Sequence, residues 1–230
     1  MRDSIPQILS GSELNMRLGL IADVHCDVDG LQRALDLFGE RDIDAILCAG
    51  DLVEKGKGCD GDAVVDLIRR SGIPCVKGNH DHDASFNQRW IRENIDPRFP
   101  KLDDLLLSDG TLTYLSDLPE SLTYEWYGRH VVMAHGTPWD RSVYLYACSP
   151  RIVYEKMIEE THADIIVLGH THRPMNVRFG KLQVVNPGSV CGEWIGGSGT
   201  CGILTLPEGR FEVYDLETCE RMHIALTALD

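Results

Sequence analysis

The chain has 230 residues, of which 43% are hydrophobic and 25% are charged. This ordinary globular composition fits one sizeable domain or two small ones and excludes a mainly disordered chain. No stretch approaches the roughly 18 consecutive apolar residues of a membrane-spanning helix, so we expect no membrane insertion. Lys plus Arg is 22 against Asp plus Glu 36, and the formal net charge of −14 argues against binding of long DNA or RNA.

The eight cysteines include no Cys-x-x-Cys pair. Cys48 and Cys75 lie in apolar, strand-like runs, where a thiol packs as a small hydrophobic group. The first 25 residues lack a basic start followed by an apolar stretch, so no signal peptide is predicted. These features favour a reduced, cytoplasmic protein over a disulfide-bonded one.

The first half of the chain alternates apolar strand-like runs with amphipathic helical patterns. Residues 1–15 are polar and are predicted to form a flexible arm, followed by a single domain over 16–230. Strand–helix alternation indicates right-handed βαβ units and a partly parallel sheet. In chain order, the predicted elements are a strand over 17–22, a helix over 29–38 capped by Asp29, a strand over 44–48, a helix over 62–70, a strand over 74–77, and, after the segment 78–82, a helix with Phe86 and Trp90.

The second half of the chain brings its strand candidates close together in sequence, which favours antiparallel pairing. A hairpin is predicted from 122–126 and 130–134, and a helix begins at Ser149-Pro150, with Pro150 as its first residue. Two mixed sheets packed together and flanked by helices accommodate both halves. Further strands are predicted over 164–168, 183–185, 202–206 and 211–214.

Asp, His and Asn residues recur just past the ends of the apolar runs, at the edge where α/β sheets bind ligands. Carboxylate oxygens and imidazole nitrogens suit divalent Mn, Fe, Co, Ni and Zn. A carboxylate can bridge two ions, and two ions about 3.5–4 Å apart can hold a phosphoryl group and a water between them. The segments are Asp23-Val24-His25, Gly50-Asp51, Gly78-Asn79-His80-Asp81, His135-Gly136 and Gly169-His170-Thr171-His172.

In this order the segments resemble the calcineurin-like metallophosphoesterases, especially their small bacterial and archaeal phosphodiesterase branch. Asn186-Pro187-Gly188-Ser189 also matches that branch, and the resemblance covers about residues 17–214. It implies an α/β fold, classed as α+β in some schemes, in which two mixed β-sheets flanked by helices form a four-layer αββα sandwich.

The resemblance also implies two divalent transition-metal ions, with Mn favoured and Fe, Ni, Co or Zn as alternatives. His80 is then not a ligand but binds the phosphate and protonates or stabilises the leaving oxygen. Asp51 bridges the two ions. By the same resemblance, the first ion is bound by Asp23, His25, Asp51 and His172, and the second by Asp51, Asn79, His135 and His170.

The run from Gly50 to Gly56 is similar to the Gly-Asp-x-Val-Asp-Arg-Gly run of the Ser/Thr protein phosphatases. Glu54 and Lys55 stand where those enzymes have an Asp that orients the catalytic His and an Arg that contacts phosphate. The similarity implies an orienting role for Glu54 and substrate binding by Lys55, with a longer carboxylate and a cation that cannot bind in the bidentate manner of Arg.

The implied activity is hydrolysis of phosphate esters, with phosphodiesters favoured, by in-line attack of a hydroxide that bridges the metals. Phosphomonoesters, phosphoproteins and dinucleoside polyphosphates stay open as substrates, because His80 is retained where several phosphodiesterases of the family have Cys. A non-catalytic scaffold of the same fold is less favoured, because all the ligand positions carry competent residues. The expected partner is a small phosphorylated substrate, without a membrane or long nucleic acid, and the oligomeric state is not predicted.

Three further segments stay open between function and packing. Asp27 either faces the substrate or belongs to the turn before the first helix. Residues 139–146 either wall a substrate pocket or form a surface loop, and the glycine-rich residues 192–202 form either a flap or an ordinary connection.

Overall fold

A computed structural model describes residues 15–54, 60–94, 106–192 and 196–229. Residues 1–14, which make up nearly all of the predicted arm, and Lys55 lie outside the described residues, so the division into arm and domain stays a prediction. The elements are β1 (Met16–Ile21), α1 (Val28–Gly39), β2 (Ala45–Cys48), α2 (Gly61–Arg70), α3 (Asn79–Asn94), α4 (Asp109–Asp117), β3 (Ser121–Trp126), β4 (Arg129–Ala134), α5 (Arg151–Thr161), β5 (Ile165–Val167), β6 (Pro174–Phe179), β7 (Leu182–Pro187), β8 (Thr200–Leu206), β9 (Arg210–Asp215), β10 (Arg221–Met222) and β11 (Leu226–Leu229).

The strands form two mixed sheets, as predicted. The first has the order β10-β9-β8-β1-β2, in which β1 runs parallel to β2 and antiparallel to β8. The second has the order β11-β6-β7-β5-β4-β3, in which β4, β5 and β7 are parallel neighbours. The predicted hairpin is confirmed as the antiparallel pair β3–β4.

Three apolar clusters show how the sheets and helices are layered. Because side chains alternate along a strand, β1 directs Leu20 into a cluster that β4, β7 and β8 also line, and Ile21 into a cluster with α1, α2 and α4. A third cluster joins Ile166 of β5 to Tyr154 and Met157 of α5. The order of layers is therefore helices, sheet, sheet and helix, which confirms the predicted sandwich.

Two predicted helix starts differ from the structure. Asp27, and not Asp29, caps α1, because its carboxylate accepts the N–H of Gly30 at 2.7 Å. Asp29 lies in the first turn, where its charge favours the positive end of the helix dipole. Pro150 has an extended ψ of 141°, so α5 begins one residue later, at Arg151. For Asp27, the structure favours the cap over a role in substrate selection.

The predicted strand over 74–77 is reduced to a single β-bridge between Cys48 and Cys75. Pro74 has no N–H to donate to a ladder, and the chain enters α3 at Asn79, earlier than expected. Phe86 and Trp90 lie on that helix with their side chains 70% and 61% exposed, so they do not form a core face. Strands β6, β10 and β11 were not predicted.

No helix of the described residues has both the length and the apolar character needed to cross a membrane.

Candidate metal centre

The loops that follow β1, β2, β4 and β5 meet at one edge of the sandwich. The N–H of Asp23 donates to Gly50 O at 2.9 Å, and the N–H of Gly169 donates to His135 O at 2.8 Å. Left-handed backbone is rare for residues other than glycine and is concentrated at functional sites. Among the sequence-predicted ligands it occurs at Asp23, His25, Asp51, His170 and His172, with φ between 47° and 68°.

One group of ligand atoms surrounds Asp51. Its Oδ2 lies 3.1 Å from His135 Nε2, which is 3.2 Å from Asn79 Oδ1. His135 Nδ1 donates to Ala49 O at 2.6 Å, so Nε2 is the nitrogen that faces the site. Asp51, His135 and His170 each offer one atom within 4.8 Å of the others. These are the residues predicted for the second ion.

The residues predicted for the first ion form an adjoining group. His25 Nε2 lies 3.0 Å from His172 Nε2. Asp23 Oδ1 is 3.8 Å from the former nitrogen and 3.5 Å from the latter. The second oxygen, Oδ2, of Asp51 lies 3.8 Å from His25 Nε2 and 3.1 Å from His135 Nε2. Asp51 is therefore placed between both groups, where a bridging carboxylate has to lie.

Burial and mutual charge perturb the ionisation of these side chains. Burial, together with the neighbouring charge of Asp51, raises the pKa of Asp23. Burial alone would lower the pKa of His135, but its interactions with Asp51 and Asp23 outweigh this effect and raise it to about 10. Burial and the charge of His135 lower the pKa of His170 to about 4. Among the described side chains, only imidazoles supply positive charge next to the buried carboxylates of Asp23 and Asp51.

The donor set fits divalent cations. The buried Nε2 of His170 has no hydrogen-bond partner among the described residues, and such a group normally costs free energy unless it meets a proton or an ion. Among the described residues, no Lys or Arg forms an ion pair with Asp23 or Asp51. Carboxylate and imidazole donors match borderline divalent metals without selecting one of them.

Glu54 links one predicted ligand to the predicted catalytic histidine. Its Oε1 lies 2.8 Å from His25 Nδ1 and 3.4 Å from His80 Nδ1. These contacts with the two histidines hold the pKa of Glu54 well below its usual range. The rings of His25 and His80 meet edge to face at 4.7 Å. His80 also offers a nitrogen within 4.8 Å of atoms of His25 and Asp51, so its role as a non-ligand stays a prediction.

Two residues near the centre were not assigned a role from the sequence. Asp81 is fully buried and accepts backbone N–H groups from Asp51 at 2.9 Å and from Gly78 at 3.0 Å. Cys191 offers its thiol within 4.8 Å of His25 and His172 nitrogens. Asp81 ends the Gly-Asn-His-Asp motif, and Cys191 follows the Asn-Pro-Gly-Ser run by two residues. Those positions are the only sequence signals that could have indicated them.

A cleft of about 380 Å³ opens over His80, His170 and His172, and its wall includes Tyr144 and Tyr146. Of the two alternatives left open for residues 139–146, the pocket wall applies to the two tyrosines. Arg141 and Ser142 of the loop line a neighbouring opening with Asn79 and His170. Lys156 Nζ lies 4.0 Å from the centre of the Trp139 ring, and Arg141 pairs with Glu120 at 3.2 Å. In the glycine-rich segment, Gly196 O accepts a hydrogen bond from His172 Nδ1 at 3.3 Å.

Comparison with known proteins shows the family and the fold of the chain. Residues 16–209 match the calcineurin-like phosphoesterase superfamily domain. An uncharacterised protein of Methanocaldococcus jannaschii is 25% identical over 197 residues, 75% of either chain. A phosphodiesterase of the same organism is 21% identical over 204 residues, covering 88% of this chain and 100% of that protein. A metallophosphoesterase structure from Sphaerobacter thermophilus shares the fold, with a TM-score of 0.62 at 23% identity over 85% of each chain.

Fold and family together define a metal-dependent hydrolase of phosphoric esters. The chain belongs to the calcineurin-like phosphoesterase superfamily, whose members use divalent metals.

Proposed function

We propose that the chain hydrolyses phosphodiesters with two divalent metal ions, for which Mn is the first choice and Fe, Ni, Co or Zn are alternatives. The observation that carries the proposal is the position of Asp51 between two groups of His and Asp ligand atoms. Such ions supply Lewis-acid activation of the phosphate and of the attacking water. Asp23, His25, Asp51 and His172 would hold one ion, and Asp51, Asn79, His135 and His170 the other.

The charge of this centre favours a small phosphate ester. Asp23 and Asp51 offset only part of the charge of two divalent ions, so the loaded centre is positive within a chain of formal charge −14. A phosphate ester is therefore attracted locally. Long nucleic acid and membrane surfaces are not proposed partners, because the rest of the charge balance repels polyanions.

His80 is proposed as the group that binds the phosphate and delivers a proton to the leaving oxygen. Its side chain is 22% exposed and lines the cleft, so an ester can reach it. Glu54 is proposed to orient the His80 ring by holding its Nδ1 side. A group placed within hydrogen-bond reach of the leaving oxygen typically contributes about 10²–10⁴-fold to the rate. Lys55, outside the described residues, remains a proposed substrate-binding residue.

Phosphomonoester, phosphoprotein or dinucleoside polyphosphate hydrolysis is the alternative within the same chemistry, and a non-catalytic scaffold is the alternative outside it. The relative named as a phosphodiesterase supports diesters. A cytoplasmic location is proposed because six cysteines of the described residues are free thiols, among them the exposed Cys148 and Cys219, as expected in a reducing compartment.

The test is hydrolysis of bis-p-nitrophenyl phosphate and of p-nitrophenyl phosphate, after chelation and again after Mn²⁺ is restored. Metal-dependent cleavage with the diester faster supports the proposal, whereas a faster monoester supports a phosphatase. Turnover that persists after complete chelation would contradict metal dependence. A chain that neither turns over these esters nor binds metal would favour the scaffold.

A further inference from the structure

A second cavity adjoins the metal cleft. It has a volume of about 500 Å³, larger than the cleft of about 380 Å³, and the two share Tyr146, Thr171 and Arg173 as a common border. Volumes of this size are typical of sites for small organic molecules. Because His80, His170 and His172 line the cleft and not the second cavity, the second cavity lies where an organic group of a bound ester would project.

The wall of this cavity is firm and largely apolar. Leu145 and Met175 line it, and both belong to the buried cluster under α5, with side chains only 2% and 8% exposed. Ala147 and Pro174 complete the apolar lining. A wall anchored in the core keeps its shape, and an apolar wall favours a group that carries little charge.

Two tyrosines extend an aromatic surface from the metal centre towards the cavity. The ring of Tyr144 stacks on His170 with 3.9 Å between ring centres. The ring of Tyr146 is parallel to that of Tyr144 within 4°, at 6.3 Å. Both side chains are substantially exposed, 57% for Tyr144 and 38% for Tyr146, so part of each ring is accessible to a ligand. Planar bases stack on such rings.

A positively charged side chain, that of Arg173, lies at the same border. The guanidinium of Arg173 is 6.0 Å from the centre of the Tyr146 ring, and no ion pair of Arg173 with a carboxylate is found within the described part of the chain. Because the chain has a formal net charge of −14, an Arg without a carboxylate partner among the described residues is an uncommon local source of positive charge. Arg combines planar stacking with anion binding, and both properties suit a molecule with a base and a phosphate.

From these observations we infer that the ester carries a nucleobase, which lies in the second cavity against Tyr146 while its phosphate lies at the metal centre. The substrate class is therefore a nucleotide phosphoester. This inference rests on the proposed function, because it places only the organic part of the molecule that the metal centre would cleave.

The test compares two substrates that share the reacting ester and the leaving group. Adenosine 2′,3′-cyclic phosphate carries the base, whereas 1-O-methylribose 2′,3′-cyclic phosphate does not. Wild-type protein is expected to prefer the former in kcat/KM by about 5- to 150-fold, the range that stacking of one base provides. Tyr146→Leu should remove most of that preference, read as the ratio of the two kcat/KM values within the variant, while Tyr146→Phe keeps the ring and the preference.

Tyr127→Leu is the matched control, because Tyr127 is another exposed tyrosine, in the turn between β3 and β4. A second readout needs no hydrolysis. The fluorescence of 2-aminopurine riboside, which has no ester to cleave, should be quenched by wild-type protein and by Tyr127→Leu but not by Tyr146→Leu.

The outcomes separate this inference from the proposed function. Equal kcat/KM for the two cyclic phosphates, or equal quenching by Tyr146→Leu and wild type, overturns the inference while hydrolysis itself stands. If bis-p-nitrophenyl phosphate is cleaved but neither cyclic phosphate is, the quenching experiment decides. Absence of quenching by the wild-type protein then overturns the inference. Loss of all ester hydrolysis by metal-loaded protein overturns the proposed function instead.

Discussion

The buried carboxylate of Asp81 accepts the backbone N–H of Asp51 at 2.9 Å, across a separation of 30 residues. The same carboxylate accepts the N–H groups of Leu52, Val53 and Gly78. A side chain that touches no predicted ligand atom thus fixes the loop that carries the bridging residue against the loop that carries Asn79 and His80.

Replacing Asp81 should therefore damage stability and metal binding together. Asp81→Asn removes a charged acceptor and directs an amide N–H₂ at backbone donors, which costs about 2–4 kcal/mol of unfolding free energy. Chemical denaturation of the chelated protein measures this loss. Asp27→Asn is the control, since Asn also caps helices well. A stability equal to that of wild type would show that the four hydrogen bonds of Asp81 are not structural.

The second prediction concerns Asp51 as the bridge. Asp51→Asn should weaken both metal ions together, by about 10-fold or more, because one carboxylate lies against both ligand groups. Equilibrium dialysis with elemental analysis counts the ions retained, and Asp27→Asn is again the control. Retention of one ion at wild-type affinity would contradict bridging by Asp51.

The third prediction separates His80 from the ligands. His80→Ala should keep both ions and lower turnover of a diester about 10²–10⁴-fold, as expected for loss of a general acid. His82→Ala, at an exposed neighbouring histidine, should change neither metal content nor rate. If metal content falls together with activity, His80 is a ligand and its nitrogen within reach of His25 and Asp51 explains why.

The fourth prediction treats Glu54 as a positioning residue. Glu54→Gln should lower kcat about 10- to 100-fold, since it loses the ionic contacts with His25 and His80, while KM changes little. Glu54→Asp, which restores the carboxylate, should recover part of the loss, and the exposed Glu217→Gln should be silent. A change in KM alone would indicate that Glu54 contacts the substrate and does not orient His80.

Metal affinity should increase with pH. In the protein without ions, the pKa of His135 is raised to about 10 and that of Asp23 is also raised. Both groups therefore hold protons near neutrality that a metal ion must displace, and proton release makes binding stronger as pH rises. Calorimetric titration with Mn²⁺ between about pH 6.5 and 8.5 should give a slope of log K against pH of about 1 or more. An affinity independent of pH would contradict these pKa shifts.

Most of the fold, and the recurrence of metal-competent residues after strand ends, could be predicted from local sequence patterns. The assignment of ligands to two ions came from the resemblance to the family and stays a prediction. Apolar runs gave the strands β1, β2, β4 and β5, and the metal-competent residues come directly after them. Strand β6 also has a period-two pattern, with Met175, Val177 and Phe179 buried, but Pro174 at its start conceals it. The exposed strands β10 and β11 have no apolar alternation strong enough to indicate them.

The roles of Asp81 and Cys191 could not be derived from local patterns. Each depends on which distant backbone or side chain folds against it, and Asp81 reaches Asp51 only in the tertiary structure. The same reason applies to Tyr144 and Tyr146. The sequence shows that their loop contains three aromatic side chains. Only the structure separates the two that line the cleft from Trp139, which packs against Lys156.

Titration of Mn²⁺ into chelated protein, with hydrolysis of bis-p-nitrophenyl phosphate followed at each addition, tests the central claim most directly. A centre in which Asp51 bridges two ions predicts that activity rises until two equivalents are bound per chain, and that Asp51→Asn shows no such endpoint. Full activity at one equivalent, or activity unchanged by removal of all metal, would contradict a dinuclear phosphoesterase.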